Sequence, residues 1–375
     1  MSPPYSATDF DEYTKSSQSV LLNIGNYLSE LSDNFIQFQL FFACIGFVVN
    51  IFHLTVLTRK SMRTSSINVI MIGISICDLC NMVFMIKYDI VMFSENECSP
   101  PKTYTNEIFN LWISAAEDTT RRLITWFGFL LASLRFFIVK NSLKPKYHHF
   151  SKPLFATKVM ISMTIISVIM SVFYYGRGCF KVVDEWAPPK HCDGFPLNFT
   201  TPVYEVVIEN MALSEDSPAL KTLSIVDGLL KLIASCTLPI FTYLLMIEHR
   251  NAKNSKLQFS TRSRSSRSDH TTKLVILMTI TFIISESPFG IIYFVEGIVL
   301  NSPGIVHLTT DLIDLFGIFL AINSITSCLI CLVVSSQYRR AVEKLIGMKK
   351  KNSNSRSSRV NVTSCAVIGK SEMKI

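Results

Sequence analysis

The chain has 375 residues, of which 49% are hydrophobic and only 17% are charged, and its formal net charge is +8. Its mean hydropathy of +0.35 is well above that of ordinary soluble proteins. This composition argues against a water-soluble globular protein and indicates one integral membrane bundle.

Seven stretches are long and apolar enough to cross a bilayer, since a hydrocarbon core of about 30 Å needs roughly 20 helical residues. They cover residues 35–57, 67–86, 108–139, 154–176, 220–247, 274–300 and 308–334. Charged residues interrupt the third and fifth stretches. We count both as spans because of the charges in the loops that flank them. We predict an all-α membrane protein: a seven-transmembrane helix bundle over residues 35–348, with a short amphipathic helix after the seventh span.

The loops between these stretches alternate between acidic and basic. The segments before the first span and after the second and fourth are acidic, whereas those after the first, third, fifth and seventh are basic. Because Lys and Arg are retained on the cytoplasmic side, we predict a multi-pass plasma-membrane protein with an extracellular N-terminus. We expect residues 1–34 to form a mobile extracellular tail and residues 349–375 a disordered cytoplasmic tail.

Three cysteines fall in the predicted extracellular segments, where disulfides form. We favour a bridge between Cys98 and Cys192, because Cys179 lies only a few residues beyond the fourth span and has less reach. Cys179 remains the alternative partner. The same loop contains Asn198 in the pattern Asn-Phe-Thr, which predicts N-glycosylation.

Several polar residues lie inside the predicted spans. Asn50, Asp78, Asn323 and Ser324 are expected to form one polar cluster, because side chains in lipid must find hydrogen-bond partners on neighbouring helices. If Asp78 is ionised, it needs a cation or bound water. A sodium ion is therefore a possible ligand of this cluster.

Ionisable residues concentrate in the outer halves of the spans. In the third span, Glu117 with Arg121 and Asp118 with Arg122 have the spacing of intrahelical ion pairs. Charged groups at membrane depth are candidates for function. We predict a ligand-binding pocket that contains Glu117, Asp118, Arg121, Asp227, Lys231, Glu286 and Asp311. The alternative is that these charges only pair with one another.

Short motifs recur in a fixed order along the spans. They are Gly46-Phe47-Val48-Val49-Asn50, Ser75-Ile76-Cys77-Asp78-Leu79, Leu134-Arg135-Phe136, the helical prolines Pro239 and Pro288, Asn323-Ser324, and Ser335-Ser336-Gln337-Tyr338-Arg339. In this order the chain resembles a rhodopsin-like G-protein-coupled receptor. It resembles more narrowly the nematode serpentine receptors of class W, which are similar to neuropeptide receptors.

This resemblance implies a function. It predicts a receptor for an extracellular ligand, a short amidated neuropeptide, that activates a heterotrimeric G protein through Arg135. It also implies arrestin and a receptor kinase as partners, with the tail serines 353, 355, 357 and 358 as kinase sites, and contact of the last helix with membrane lipid. Glu117 lies near the position of the amine-binding acid in monoamine receptors, but its charged neighbours fit a peptide pocket better.

The chain also departs from the family pattern. Leu134 replaces the acid that normally precedes the key arginine, and Glu286 replaces an aromatic residue two positions before the proline of the sixth helix. The segment Ser327-Cys328-Leu329-Ile330-Cys331 replaces Asn-Pro-x-x-Tyr in the seventh. The resting-state acid partner of Arg135 is therefore missing.

The sequence leaves other functions to compare with a peptide receptor. A chemosensory receptor for an environmental molecule is the alternative within the family. A transporter or channel is a third hypothesis. It predicts inverted repeats or a continuous polar lane, and the sequence shows neither. Neither a metal-ligand cluster, a phosphate loop nor a nucleophile–base pair is recognisable, so we predict no enzyme activity, no cofactor and no nucleic-acid partner.

Overall fold

The computed structural model describes residues 5–347, apart from residues 95, 97, 142–143, 177, 197, 209–217, 258–264 and 300–301. Its elements are α1 (Lys15–Leu57), α2 (Ser66–Ser94), α3 (Tyr104–Lys140), α4 (Pro153–Tyr175), β1 (Gly178–Trp186), β2 (Thr201–Ile208), α5 (Pro218–Leu257), α6 (Ser265–Ile298), α7 (Pro303–Val334) and α8 (Ser336–Leu345). Two 3₁₀ turns, Ala7–Phe10 and Pro145–Ser151, precede α1 and α4.

Seven of these helices, α1 to α7, are long and apolar enough to cross a membrane. Many of their large apolar side chains point outward, for example Phe41, Ile169 and Val333, which are 60%, 61% and 73% exposed. Such exposure is expected where lipid, rather than water, surrounds a helix. The predicted seven-helix fold is therefore confirmed.

The bundle is built around α3, which contacts α2, α4, α5 and α6, while α1 packs against α2 and α7. The N-terminal segment from Tyr5 onward, the strands and the first residues of α3, α5 and α7 lie at one end, which we call the hairpin end. The other end is called the α8 end. Pro239 and Pro288 lie within α5 and α6, where each removes a backbone donor from the helical ladder.

Local sequence explains where the helices begin. Thr103 caps α3, because its hydroxyl accepts a hydrogen bond from the backbone N–H of Asn106. Pro153 and Pro303 occupy first-turn positions of α4 and α7, where the missing proline N–H costs nothing. Ser335 caps α8 by accepting from the N–H of Tyr338.

The predicted helix after the seventh span is present as α8. Tyr338, Ala341 and Val342 are buried on one face, and Arg339 and Arg340 are exposed on the other. This distribution is that of an amphipathic helix at a membrane surface.

The N-terminal segment differs from the prediction of a mobile tail over residues 1–34. Thr14 caps α1 through the N–H of Ser17, so the helix begins at Lys15, twenty residues before the predicted span. The turn Ala7–Phe10 packs against α1 and α7. Local capping and contact with α7 therefore give this polar segment a defined structure.

The loop between α4 and α5 contains a hairpin that the sequence analysis did not predict. Strands β1 and β2 pair antiparallel, with an irregularity between Val182 and Asp184. A disulfide joins Cys98 to Cys192, with 5.6 Å between their Cα atoms. The favoured pairing therefore ties this loop to the residues just before α3.

Some predictions lie outside the described residues. They are the cytoplasmic tail over 349–375, its serines 353, 355, 357 and 358, and part of the basic segment between α5 and α6.

We predict that the change of both Cys98 and Cys192 to Ser lowers the free energy of unfolding by about 2–4 kcal/mol, because the bridge restricts the unfolded chain. Thermal unfolding of the purified protein in lipid nanodiscs measures this. Cys44→Ser, at an exposed position on α1, is the control and should leave the midpoint unchanged. An unchanged midpoint in the double variant would contradict the prediction.

Candidate functional site

The charges of α3 are connected to α4 and α5 through Arg122, which is 3% exposed. Its Nε donates to Asp227 Oδ1 and its Nη2 donates to Asp118 Oδ2, each at 2.5 Å. Its Nη1 donates to the carbonyl oxygen and the hydroxyl of Ser167, both at 3.1 Å, and to the hydroxyl of Ser171 at 3.2 Å. One guanidinium therefore holds three helices together.

Lys231 of α5 completes this cluster. Its Nζ lies 2.9 Å from Asp227 Oδ2 and 3.4 Å from Asp118 Oδ1. The same Nζ lies 3.5 Å from the centroid of the Tyr293 ring, a cation–π contact with α6. Two cations and two carboxylates thus form a compact cluster whose charges balance, which lowers the cost of burying them.

Arg121 forms a separate pair beside this cluster. Its Nη2 donates to Glu117 Oε1 at 2.5 Å, and its Nη1 lies 3.5 Å from the Tyr293 hydroxyl. The guanidinium also lies 5.4 Å from the centroid of the Phe289 ring. Arg121 is therefore directed towards α6, whereas Arg122 is directed towards α4 and α5.

Glu286 lies deeper in the bundle and is 5% exposed. It accepts a hydrogen bond from the hydroxyl of Thr125 at 3.1 Å. Asp78 of α2 is an electrostatic neighbour of this carboxylate. Among the described residues, Glu286 has no cation within ion-pair distance.

Two further carboxylates line one face of α7. Asp311 accepts a hydrogen bond from the hydroxyl of Tyr5 at 2.6 Å, and Asp314 accepts from that of Tyr88 at 3.3 Å. Asp311 is thus joined to the N-terminal segment and not to the ion cluster.

A small polar cavity of about 90 Å³ opens beside the ion cluster. Its walls combine acids, a cation and aromatic rings from four helices: Asp118, Arg122, Met170, Tyr174, Tyr175, Asp227, Tyr293 and Glu296. A polar cavity among convergent charges is the kind of site that orients a ligand.

A larger groove of about 590 Å³ lies between α2, α3 and α4. Its walls are mainly apolar, and exposed side chains such as Ile76, Trp112 and Ile161 lie along it. Its described walls carry no charged side chain. It is therefore less suited than the smaller cavity to a charged ligand, despite its greater volume.

The structure brings together part of the predicted polar cluster. Asn50 Nδ2 donates to the hydroxyl of Ser324 and to the carbonyl oxygen of Gly46, which ties α1 to α7. The side-chain oxygens of Asn50 and Asn323 are buried without a hydrogen-bond partner among the described residues. Oxygens of this type suit a hard cation. The predicted sodium ion at Asn50, Asp78, Asn323 and Ser324 stays a prediction.

Arg135 lies towards the α8 end of α3. Its Nε is buried and lacks a hydrogen-bond partner in the described part of the chain. Cys331 of α7 is its electrostatic neighbour. Nearby, the Tyr338 hydroxyl lies 2.8 Å from Nδ1 of His53 and 3.5 Å from the Cys328 sulfur. The Tyr338–His53 contact thus joins α8 to α1 beside Cys328, one of the residues that replace the usual motif of the seventh helix.

Several residues of this site were not predicted from the sequence. Tyr293 and Glu296 were overlooked, although they follow Glu286 by seven and ten residues and so share its helical face. Ser167 and Ser171 form a polar pair one turn apart on α4, which was a usable signal. Tyr5 had no recognisable signal, because its partner lies 306 positions away.

Asn198 is exposed and adopts a φ of 61°, a left-handed conformation that Asn tolerates. Its side chain is accessible for the predicted glycan. Glycosylation itself stays a prediction.

The family model described as serpentine type 7TM GPCR chemoreceptor Srw matches residues 37–349. The G-protein coupled receptor dmsr-1 of Caenorhabditis elegans is 20% identical, over 82% of this chain and 67% of that protein. Together with the seven apolar helices, these matches show a multi-pass membrane protein of a receptor class whose members have a ligand and a G protein as partners. The chain belongs to the Srw family of seven-transmembrane G-protein-coupled receptors, as its motifs predicted.

Proposed function

We propose that this receptor lies in the plasma membrane with its N-terminus outside and binds a short amidated peptide that carries a basic residue. Peptide binding would activate a heterotrimeric G protein at the α8 end. The family supports a receptor with a ligand and a G protein. The choice of a peptide rests on the charges of the site.

The single observation that carries this choice is the imbalance of charge in the site. Arg121, Arg122 and Lys231 are each already held by a carboxylate. In contrast, no described cation forms an ion pair with Glu286, Glu296, Asp311 or Asp314. Carboxylates inside the bundle that form no ion pair with a described residue favour a ligand that supplies positive charge.

The chemistry of the peptide end follows from the same imbalance. A free C-terminal carboxylate would add a further negative charge beside Asp118, Asp227 and Glu296, and repulsion would weaken binding. An amidated end is neutral and offers hydrogen-bond donors to carboxylates. The charges around this cavity therefore favour a basic, amidated peptide over an acidic one.

The orientation in the membrane is proposed from charge asymmetry. The hairpin carries the acids Asp184 and Glu185, whereas α8 and the 3₁₀ turn after α3 carry Lys and Arg residues. Because basic residues are retained in the cytoplasm, this asymmetry supports an α8 end that lies inside the cell.

Arg135 is the proposed contact of the G protein. Since Leu134 stands where an acid is usual, Arg135 lacks the adjacent carboxylate that would restrain it. The basic segments at the same end extend this surface. Arrestin and a receptor kinase are proposed as further partners of the tail serines.

A chemosensory receptor for an environmental molecule is the second candidate. The description of the matching family as chemoreceptors favours it. Expression in ciliated sensory neurons rather than in internal neurons would support this candidate over the peptide receptor.

A screen of peptide pools against cells that express the receptor tests the proposal, with G-protein activation as the readout. Amidated peptides with a basic residue are expected to activate, and the same peptides with a free C-terminal acid are expected to be weaker. Activation by environmental small molecules alone would favour the chemosensory candidate.

Glu296→Gln is expected to weaken the response to such a peptide by roughly tenfold or more, because a hydrogen bond to a charged group is lost. Dose–response curves at matched surface expression measure this. Glu12→Gln, at an exposed acid before α1, is the matched control. Equal potency in the Glu296 variant and in wild type would exclude this residue from the site.

Asp227→Asn is expected to destabilise the folded protein by about 3–5 kcal/mol, because Arg122 and Lys231 lose a shared counter-charge at a buried position. Thermal unfolding in nanodiscs measures the change. Glu296→Gln, which breaks no ion pair with any described residue, should unfold near the wild-type midpoint. Equal stability of the two variants would show that the cluster is not structural.

Arg135→Ala is expected to reduce G-protein activation to the background of cells without receptor, while surface expression and agonist binding persist. Arg340→Ala, at an exposed arginine of α8, is the control for loss of one basic charge at this end. An Arg135→Ala variant that signals like wild type would refute the assigned role.

A further inference from the structure

The N-terminal segment over residues 5–14 folds back onto the hairpin end. Tyr5 is only 5% exposed, although it lies near the start of the chain. Its hydroxyl donates to Asp311, and its ring stacks on His307 with 4.4 Å between ring centroids. Tyr5 therefore binds at a site on α7 formed by the Asp311 carboxylate and the His307 ring, which we call the Tyr5 seat.

Two glycines shape this seat. A Cβ atom at Gly25 of α1 would overlap the Tyr5 ring, and one at Gly304 of α7 would overlap the ring of Phe10. Phe10 is fully buried and stacks against Tyr5 at 5.9 Å. The absence of side chains on both helices therefore leaves room for two aromatic rings from the N-terminal segment.

The attachment is local and uses few polar contacts. Gln18 Nε2 donates to the carbonyl oxygen of Phe10 at 3.0 Å, and the Tyr5–Asp311 bond is the link to the wall of the bundle. Burial, and then the hydrogen bond to Asp311, raise the pKa of the Tyr5 phenol, so the phenol remains a donor at neutral pH. Two rings and one charge-assisted bond make a contact that a competing group can replace.

The seat also borders the candidate site. Asp314, which is one turn beyond Asp311 on α7, accepts from Tyr88 and is an electrostatic neighbour of Arg121. A ligand group placed on Asp311 would therefore lie along the same helical face as the charged groups of the site.

We infer that the Tyr5 seat is a ligand subsite for an aromatic side chain with a hydrogen-bond donor, which the receptor's own N-terminal segment fills and a ligand takes over. This inference rests on the proposed function for the identity of the ligand as a peptide. The covering of the seat by residues 5–14 is independent of that identity.

The first experiment measures whether Tyr5 holds residues 5–14, which we call the cover, in place over the seat. Ser302→Cys puts a thiol of similar size at a position that is 3% exposed and lies two residues before Gly304, against which Asp9 and Phe10 of the N-terminal segment pack. The full-length variant in nanodiscs is treated with a maleimide, and mass spectrometry follows modification at position 302. Slow modification is expected in this parent.

Adding Tyr5→Phe is expected to speed modification by roughly tenfold, the factor that a lost hydrogen bond to a carboxylate gives. Adding Tyr5→Ala should speed it further, because the ring stack is also lost. Tyr27→Ala, at an exposed tyrosine of α1, is the control and should change nothing. If Tyr5→Ala cannot be purified, Tyr5→Phe decides the test. Unchanged rates in the Tyr5 variants would overturn the inference.

The second experiment tests the seat as a binding site without any agonist. The probe is a synthetic peptide of residues 1–14, added at about millimolar concentration, the range of an intramolecular contact. With the full-length chain that carries Tyr5→Ala, Phe10→Ala and Ser302→Cys, the peptide should slow modification again. The same peptide with Tyr5→Ala should not. Equal effects of the two peptides, or no effect of either, would overturn the subsite.

A third arm links the subsite to signalling. An agonist from the peptide screen is expected to speed modification at position 302 in the parent, since it displaces Tyr5. Full activation without faster modification would overturn the displacement. If no peptide activates the receptor, the proposed function fails, while the first two arms still decide the cover and the seat.

Discussion

Burial of the Arg122 guanidinium among apolar helices is the constraint on which the rest of the bundle depends. A charge at membrane depth costs about 2.5–3.5 kcal/mol or more unless it is paired. Arg122 is satisfied only when Asp118 of its own helix, Asp227 of α5 and the serines of α4 meet it together. Arg122 therefore links α3, α4 and α5, and Lys231 with Tyr293 extends the arrangement to α6.

The pairing within this cluster also determines which charges of the site remain for a ligand. Because the cations are held by carboxylates of the chain itself, the remaining acids give the cavity a negative character. At the hairpin end, a disulfide ties the loop between α4 and α5 to the residues before α3, and Tyr5 joins the N-terminal segment to Asp311 of α7. The ion cluster and these attachments are thus formed by separate parts of the molecule.

Much of the fold followed from the sequence, because span length, loop charge and cap residues act locally. The predicted bounds of α4 agree with Pro153–Tyr175 within a residue at each end, and α8 lies where the amphipathic pattern predicted it. The start of α1 and the strands were not predicted. The helical residues before the span are mostly polar and carry no membrane signal. The pairing of β1 with β2 forms across the long connection between them, for which the sequence offers no short turn signal.

The sequence by itself determined seven apolar helices, the α3 charges at ion-pair spacing and the family motifs, since each depends on neighbours within one or two turns. Only the tertiary structure decided how those charges divide. In the folded chain Arg122 contacts α4 and α5, Arg121 points towards α6, and Asp311 accepts a hydrogen bond from Tyr5. These choices depend on which helices are adjacent in space, and helix adjacency comes from packing of the whole bundle rather than from local residue order.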